Sequence, residues 1–414
     1  MTENVDAPKT PATASAPDAG RNLPLPEGVR LVHIGPHKTG TTAVQNALWS
    51  ARPNLREQGV GHAGRSRNPS AGARAVTGQP SAYSADKAPP MSRWRELVHD
   101  IKRVREPRAI ISSEFLAWAE GDAIRRIVDD LDPNRIHVVV TLRSLVRVMP
   151  SMWQQNVQMG MVMPFEEWVR WVLDNPTRPF WKLERHDRLI ERWAAVVGTE
   201  RMTAVLVDDR DHGAVMRAFE ALLGLRAGTL VAERDLMNRS LSLAEAEAVR
   251  AFNVAFQARN LPGDLHTRTM RYGAAQLMKR REPPKDEQAV VLPGWAYPEV
   301  IAIQREIVDN VRASGVAVIG DLDRLLEGVS PPSSEPEPLA GIPPDVVGSL
   351  GMALLEATGA VRSAAISKGR FRRAEPAEVT RVPTDRLLGA IAGRAWRASA
   401  GRVLLLGRRR NGAA

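Results

Sequence analysis

The sequence predicts an α/β fold, three layers deep around a central parallel sheet, with a helical extension at the C-terminus. Three observations carry this. Short runs rich in Val and Ile at residues 29–34, 108–112, 135–141 and 202–207 have the composition of buried strands. Between them, residues 94–105, 145–159 and 188–197 space their apolar side chains at helical period. Strand alternating with helix builds a parallel sheet covered on both faces, and such sheets gather ligands at the carboxyl ends of their strands.

In chain order, residues 1–21 are rich in Ala, Pro, Thr and Asp, lack the basic start and apolar run of a secretory signal, and read as a disordered leader. Residues 22–327 form the expected domain. Its second half, 238–327, reads as mainly helical. Ser242 and Glu245 have capping-box spacing ahead of a helical pattern over 246–259. Residues 268–285 are basic and irregular, with Pro283-Pro284 near their end, and predict a loop or lid over a site; Arg268, Arg271, Lys279, Arg280 and Arg281 are its cations. A Pro-rich linker follows over 328–345, centred on residues 331–338, and then a basic helical tail over 346–414. Within the tail, 350–366 is a weak helical pattern and 384–406 a better one.

Composition removes several classes of function. The chain of 414 residues has no cysteine, which excludes disulfides, thiolate metal sites and a cysteine nucleophile. No uninterrupted apolar run reaches the roughly 18 residues of a transmembrane helix, so a cytoplasmic protein is expected. The net charge of +10 is concentrated: residues 361–414 hold 13 Lys and Arg against the acids Glu375, Glu378 and Asp385, and the rest of the chain is formally neutral. A neutral body argues against a cationic nucleic-acid-binding face, and no nucleic-acid partner is expected. The tail is expected either to rest on an anionic membrane surface, peripheral at the inner face, or to stay solvated.

The chemistry is concentrated in Gly35-Pro36-His37-Lys38-Thr39-Gly40-Thr41-Thr42, between the first strand and a helix. Unpaired N–H groups at a helix start, with the positive end of its dipole, bind anions. Gly35 and Gly40 let backbone approach the anion, Lys38 adds a cation, and Thr39, Thr41 and Thr42 add hydroxyls; His37 lies inside the turn. The pattern departs from G-x-x-x-x-G-K-[ST], because Thr41 stands where that pattern has lysine and Lys38 precedes the second glycine. The order Gly-x-x-Lys-Thr-Gly-Thr-Thr instead resembles the 5′-phosphosulfate loop of sulfotransferases that use 3′-phosphoadenosine 5′-phosphosulfate (PAPS), the heparan sulfate type in particular.

That resemblance implies a P-loop NTPase-like fold, PAPS as co-substrate and no metal. It also implies that an Arg at a later strand end and a Ser eight positions on hold the 3′-phosphate. Arg143 and Ser151 stand at that spacing. The proline that the family often has soon after the arginine is replaced by Ser144 and Leu145, so Arg147 could share the role. Sulfuryl transfer is an in-line displacement resembling phosphoryl transfer, and its acceptor needs a proton acceptor in reach. Glu114, at the end of the strand 108–112, is the candidate base, at a position where the heparan sulfate branch also carries glutamate; His37 and His33 compete with it. Lys38 is the candidate for stabilising charge on the bridging oxygen. The acceptor implied is a hydroxyl or amine of a carbohydrate, glycolipid or small molecule.

Weaker features complete the reading. Residues 238–240 (Asn-Arg-Ser) could close over the nucleotide or serve simple loop and cap chemistry. Asp208 and Asp209 are read as closing the strand 202–207. Trp153, Trp168, Trp171, Trp181 and Trp193 are read as core rather than as the floor of an acceptor site. Two rival functions remain: an ATP-dependent small-molecule kinase of P-loop type, and a non-catalytic nucleotide-binding module whose tail recruits partners.

Overall fold

The computed structural model describes residues 23–81, 87–232, 239–327 and 339–359. Six strands form one all-parallel sheet: β1 (Arg30–Gly35), β2 (Val60–His62), β3 (Arg108–Ser112), β4 (Ile136–Leu142), β5 (Met202–Leu206) and β6 (Ala317–Ile319), in the order β2-β3-β1-β4-β5-β6. The four strands expected from sequence are the four inner ones, within one residue at each end. Alternate residues of each strand feed opposite faces. Leu31, Ile110, Val139 and Val205 pack under the helices Thr41–Ser50 and Ala214–Leu223, through Val44, Leu48 and Phe219. Val32, Ile34, Ile111, Val138 and Val140 face the larger core of Trp94, Ile127, Trp153 and Trp193. Both faces are therefore covered, which accounts for the unbroken apolar runs.

The chain leaves β1 toward β2 on one side and leaves β4 toward β5 on the other, although β1 and β4 are neighbours. The crevice beyond their carboxyl ends is a topological switch point, where an open parallel sheet accommodates a ligand.

The second half is mainly helical as expected, with β6 as an unforeseen addition. Helix Leu243–Gln257 begins with a complete capping box: Glu245 N–H donates to Ser242 Oγ at 3.1 Å and Ser242 N–H to Glu245 Oε2 at 2.9 Å. Glu245 is fully buried and also holds Arg239 and Arg281. Ser242→Ala is expected to cost about 1–2 kcal/mol, read as a shift of the urea midpoint at unchanged slope.

Two expectations are corrected here. The basic stretch 268–285 is helical through Met278: Gly263–His266 runs into a π-helix, Thr267–Ala274, and on into Ala275–Met278. Met270, Ala274, Ala275 and Met278 are buried beneath the basic side chains, an apolar face that the density of charge obscures. The body also does not end at residue 327, because helix Pro344–Ala357 docks on the π-helix and buries Val346, Leu350, Ala353 and Leu354 in the main core. Gly273 allows the approach: a Cβ there would lie 2.5 Å from Ala357 Cβ. Arg281 ties the start of this helix to the body through Asp345 and Glu287, both at 2.6 Å. The leader 1–21, the Pro-rich stretch 331–338 and the tail pattern 384–406 lie outside the described residues. No helix among the described residues is long and apolar enough to cross a membrane.

Candidate functional site

The loop after β1 is a preformed turn. Gly35 and Gly40 have positive φ, and so does Lys38, at 63°, a conformation that costs a residue with a side chain about 1–2 kcal/mol and persists only where its surroundings enforce it. The enforcement comes from hydroxyls. Thr39 Oγ1 lies 2.7 Å from Pro36 O and 2.6 Å from Thr141 Oγ1, Thr141 Oγ1 reaches Gly35 O at 3.1 Å, and Thr41 Oγ1 donates to Pro36 O at 3.0 Å. The expectation that Thr39 and Thr41 present their hydroxyls to a ligand is therefore corrected: both are buried and shape the turn, and only Thr42 is exposed. What the turn does present is backbone. Gly40 caps helix Thr41–Ser50 in the left-handed conformation, and the N–H groups of Gly40, Thr41 and Thr42 make no hydrogen bond among the described residues.

Cations converge on this turn. Burial, then Lys279, then Arg143, push the Lys38 ammonium down to about 8. Lys279 is delivered by the helical segment that sequence reading took for a loop, and Arg239 fixes it there by donating to the carbonyls of Met278 and Lys279, each at 2.9 Å. Arg239 is thus committed to the body through these carbonyls and Glu245. Of the two readings of residues 238–240, this favours loop and cap chemistry for Arg239; Asn238 lies outside the described residues. Lys38 without an anion loses its proton as the pH rises through about 8, and a bound anion restores it. Pyrophosphate should therefore bind with proton uptake near that pH and weaken between about pH 7 and 9, as calorimetry in buffers of different ionisation heat would report.

Glu114 stands beside the start of the turn, so close that a Cβ on Gly35 would lie 3.0 Å from its Cα and Cβ. Gln45 Nε2 donates to Glu114 Oε2 at 3.0 Å, and Asn68 Nδ2 lies within 3.1 Å of both carboxylate oxygens. Asn68 is itself set by Ser113 Oγ at 2.9 Å. His37 lies edge-on to Phe115, and burial pushes its imidazole down to about 4 against the pull of Glu114, so it is neutral near pH 7. Arg74, stacked on Phe115 at 3.6 Å, and Arg271 add positive potential on the same side. His33 is different in kind. It is fully buried in β1, bonded to Ser112 Oγ at 2.8 Å and near Thr141 Oγ1, and burial holds it neutral at about 3. It cross-links three strands and has no access to the crevice, which removes it as a base.

Arg143, at the end of β4, closes the other side of the crevice. Its Nη1 donates to Lys38 O at 3.0 Å, and its fork holds Asp209 at 2.6 Å. Asp209 therefore does more than close β5. That role falls to Asp208, which accepts from Arg210 N–H at 2.9 Å. Arg147 reaches Asp209 at 3.8 Å, and half-buried Ser151 lies one turn further along the same face of helix Leu145–Gln158. The tryptophans are core: Trp153, Trp168, Trp181 and Trp193 are at most 5% exposed, and Trp171 packs on that core under Arg178.

The structure thus brings together Gly35, His37, Lys38, Gly40, Thr42 and Glu114, with Arg143 bridging to them. Thr141, Asp209, Gln45, Asn68 and Arg74 join them without having been foreseen, and Lys279 joins them from among the cations of the expected lid. Comparison of the chain with protein-family models, curated proteins and solved structures returned no match. Such a turn can hold a compact anion against three open N–H groups and a cluster of cations, next to a carboxylate fixed by two amides.

Proposed function

We propose that this protein is a sulfotransferase that moves a sulfuryl group from PAPS to a hydroxyl or amine of a carbohydrate, glycolipid or small-molecule acceptor. The observation that carries the reading is the half-buried Lys38 ammonium. It is crowded by Lys279 and Arg143 at a switch point, with Glu114 fixed on the opposite wall. Burying a cation among cations is costly unless the site is built for an anion.

The residues fit the co-substrate. The N–H groups of Gly40, Thr41 and Thr42 with Lys38 would hold the 5′-phosphosulfate. Arg143, Arg147 and Ser151 would hold the 3′-phosphate, which replaces Asp209 on the arginine fork, one anion for another on the same cation. PAPS supplies the activated sulfuryl group. Glu114 takes the proton from the acceptor oxygen or nitrogen as that atom bonds to sulfur. Lys38 stabilises the electron pair left on the phosphate oxygen as the old sulfur–oxygen bond breaks. His37, neutral and packed on Phe115, lines the turn between them.

Calorimetry tests the proposal against the kinase alternative. 3′-Phosphoadenosine 5′-phosphate is expected to bind without magnesium, and ATP with magnesium is not. Preference for ATP and magnesium would overturn the sulfotransferase reading.

A further inference from the structure

The proposed base is held from a stretch of chain that sequence reading left without a role. Residues 63–69 leave the carboxyl end of the edge strand β2 and run into helix Ser70–Thr77, and two side chains tie this loop to the site. Arg67 Nη1 donates to Asn46 Oδ1 at 2.6 Å, which fastens the loop to the helix that starts at the turn after β1. Asn68 sits between Ser113 and Glu114. Ser113 is fully buried, anchored by its N–H on His33 O at 3.0 Å, and donates from Oγ to Asn68 Oδ1 at 2.9 Å. The amide nitrogen is thereby turned toward Glu114, whose ionised carboxyl group can only accept.

The two oxygens of Glu114 are not held alike. Oε2 accepts from Asn68 at 2.9 Å and from Gln45 at 3.0 Å, whereas Oε1 accepts from Asn68 alone, at 3.1 Å. An ionised carboxyl group has about four lone-pair sites, two on each oxygen, so Oε1 keeps the larger share free. One nitrogen that bridges both oxygens also fixes the rotation of the carboxyl group, which a contact on a single oxygen leaves loose. Gln45 is buried, and Glu114 is half-buried.

On the sulfotransferase reading, we infer that Asn68 is a positioning residue for the base: it sets the rotation of the Glu114 carboxyl group so that Oε1 takes the proton of the acceptor. The acceptor atom bonds to sulfur, its proton passes to Oε1, and the electron pair of the old sulfur–oxygen bond stays on the phosphate oxygen. Holding the accepting oxygen in line is a positioning effect, and small displacements of such a group are costly.

Asn68→Asp is the sharpest probe. Aspartate keeps the length of the side chain and can still accept from Ser113, but it sets a second carboxyl group where the donor was. Two carboxyl groups in contact share a proton, and the upper step of their titration is raised. In the full chain labelled with ¹³C-carboxyl glutamate, the Glu114 resonance is assigned by its loss in Glu114→Gln. It is expected to titrate at higher pH in Asn68→Asp than in the parent protein. Transfer of radiolabelled sulfate from PAPS into a whole-cell extract gives the second readout, and the acid limb of its pH–rate profile should move up with the resonance. Asn68→Ala should lower the maximal rate about 10²-fold while the KM for PAPS stays within about twofold. Gln45→Met, which strips a donor from Oε2 only, should cost less. An unmoved Glu114 resonance in Asn68→Asp, an Asn68→Ala protein that keeps the parent rate, or a larger loss in Gln45→Met would overturn the inference. Failure of the parent protein to bind 3′-phosphoadenosine 5′-phosphate would instead overturn the sulfotransferase reading, and the Glu114 resonance decides the contact with Asn68 in either case.

Discussion

Lys38→Ala is expected to lower sulfuryl transfer by about 10²–10³-fold, the cost of removing one preorganised charge from where negative charge develops. Transfer of labelled sulfate from PAPS into acceptor measures it. The same substitution should not lower the thermal midpoint. Lys38 already occupies a left-handed backbone position, so alanine adds no new strain, and loss of an ammonium that burial, Lys279 and Arg143 disfavour removes repulsion from the folded state. Loss of activity without loss of stability separates a chemical role from a structural one. A variant that unfolds early while the remaining folded fraction transfers sulfate normally would place Lys38 in the scaffold instead.

Glu114→Gln carries the second large effect. Transfer should fall by about 10²–10⁴-fold as the base is lost, while affinity for 3′-phosphoadenosine 5′-phosphate stays within about twofold. The site can absorb the change. A glutamine amide would meet the amides of Gln45 and Asn68, but Asn68 can turn over because Ser113 Oγ, its other partner, can accept as well as donate. Calorimetry and single-turnover transfer on the same preparation separate binding from chemistry. An active Glu114→Gln protein would exclude Glu114 from proton transfer.

The inner sheet was legible because β1, β3, β4 and β5 are buried on both faces, so burial wrote itself directly into composition. β2 and β6, three residues each at the sheet edges, are too short to show a period. The turn was legible because Gly35, Lys38 and Gly40 are adjacent in sequence and backbone geometry is local. The work of its threonines was not, since it depends on Thr141, 102 positions from Thr39. Asp209 was misread for the same reason: its partner Arg143 lies 66 positions away. Lys279 could be seen only as one cation among many. Its place beside Lys38 comes from Arg239 gripping the end of a helical segment whose apolar face is hidden among basic residues.

The docking of helix Pro344–Ala357 bears on how the protein may be cut. A gene fragment ended at the Pro-rich stretch, which composition alone would recommend as a boundary, would leave the apolar faces of Met270 and Met278 bare to water and Arg281 without Asp345. The segment so undercut is the one that delivers Lys279 to the turn after β1. A boundary placed beyond residue 359 keeps that support, so helix Pro344–Ala357, distant in sequence from the residues proposed to be catalytic, belongs to the smallest piece of this chain fit for an activity assay.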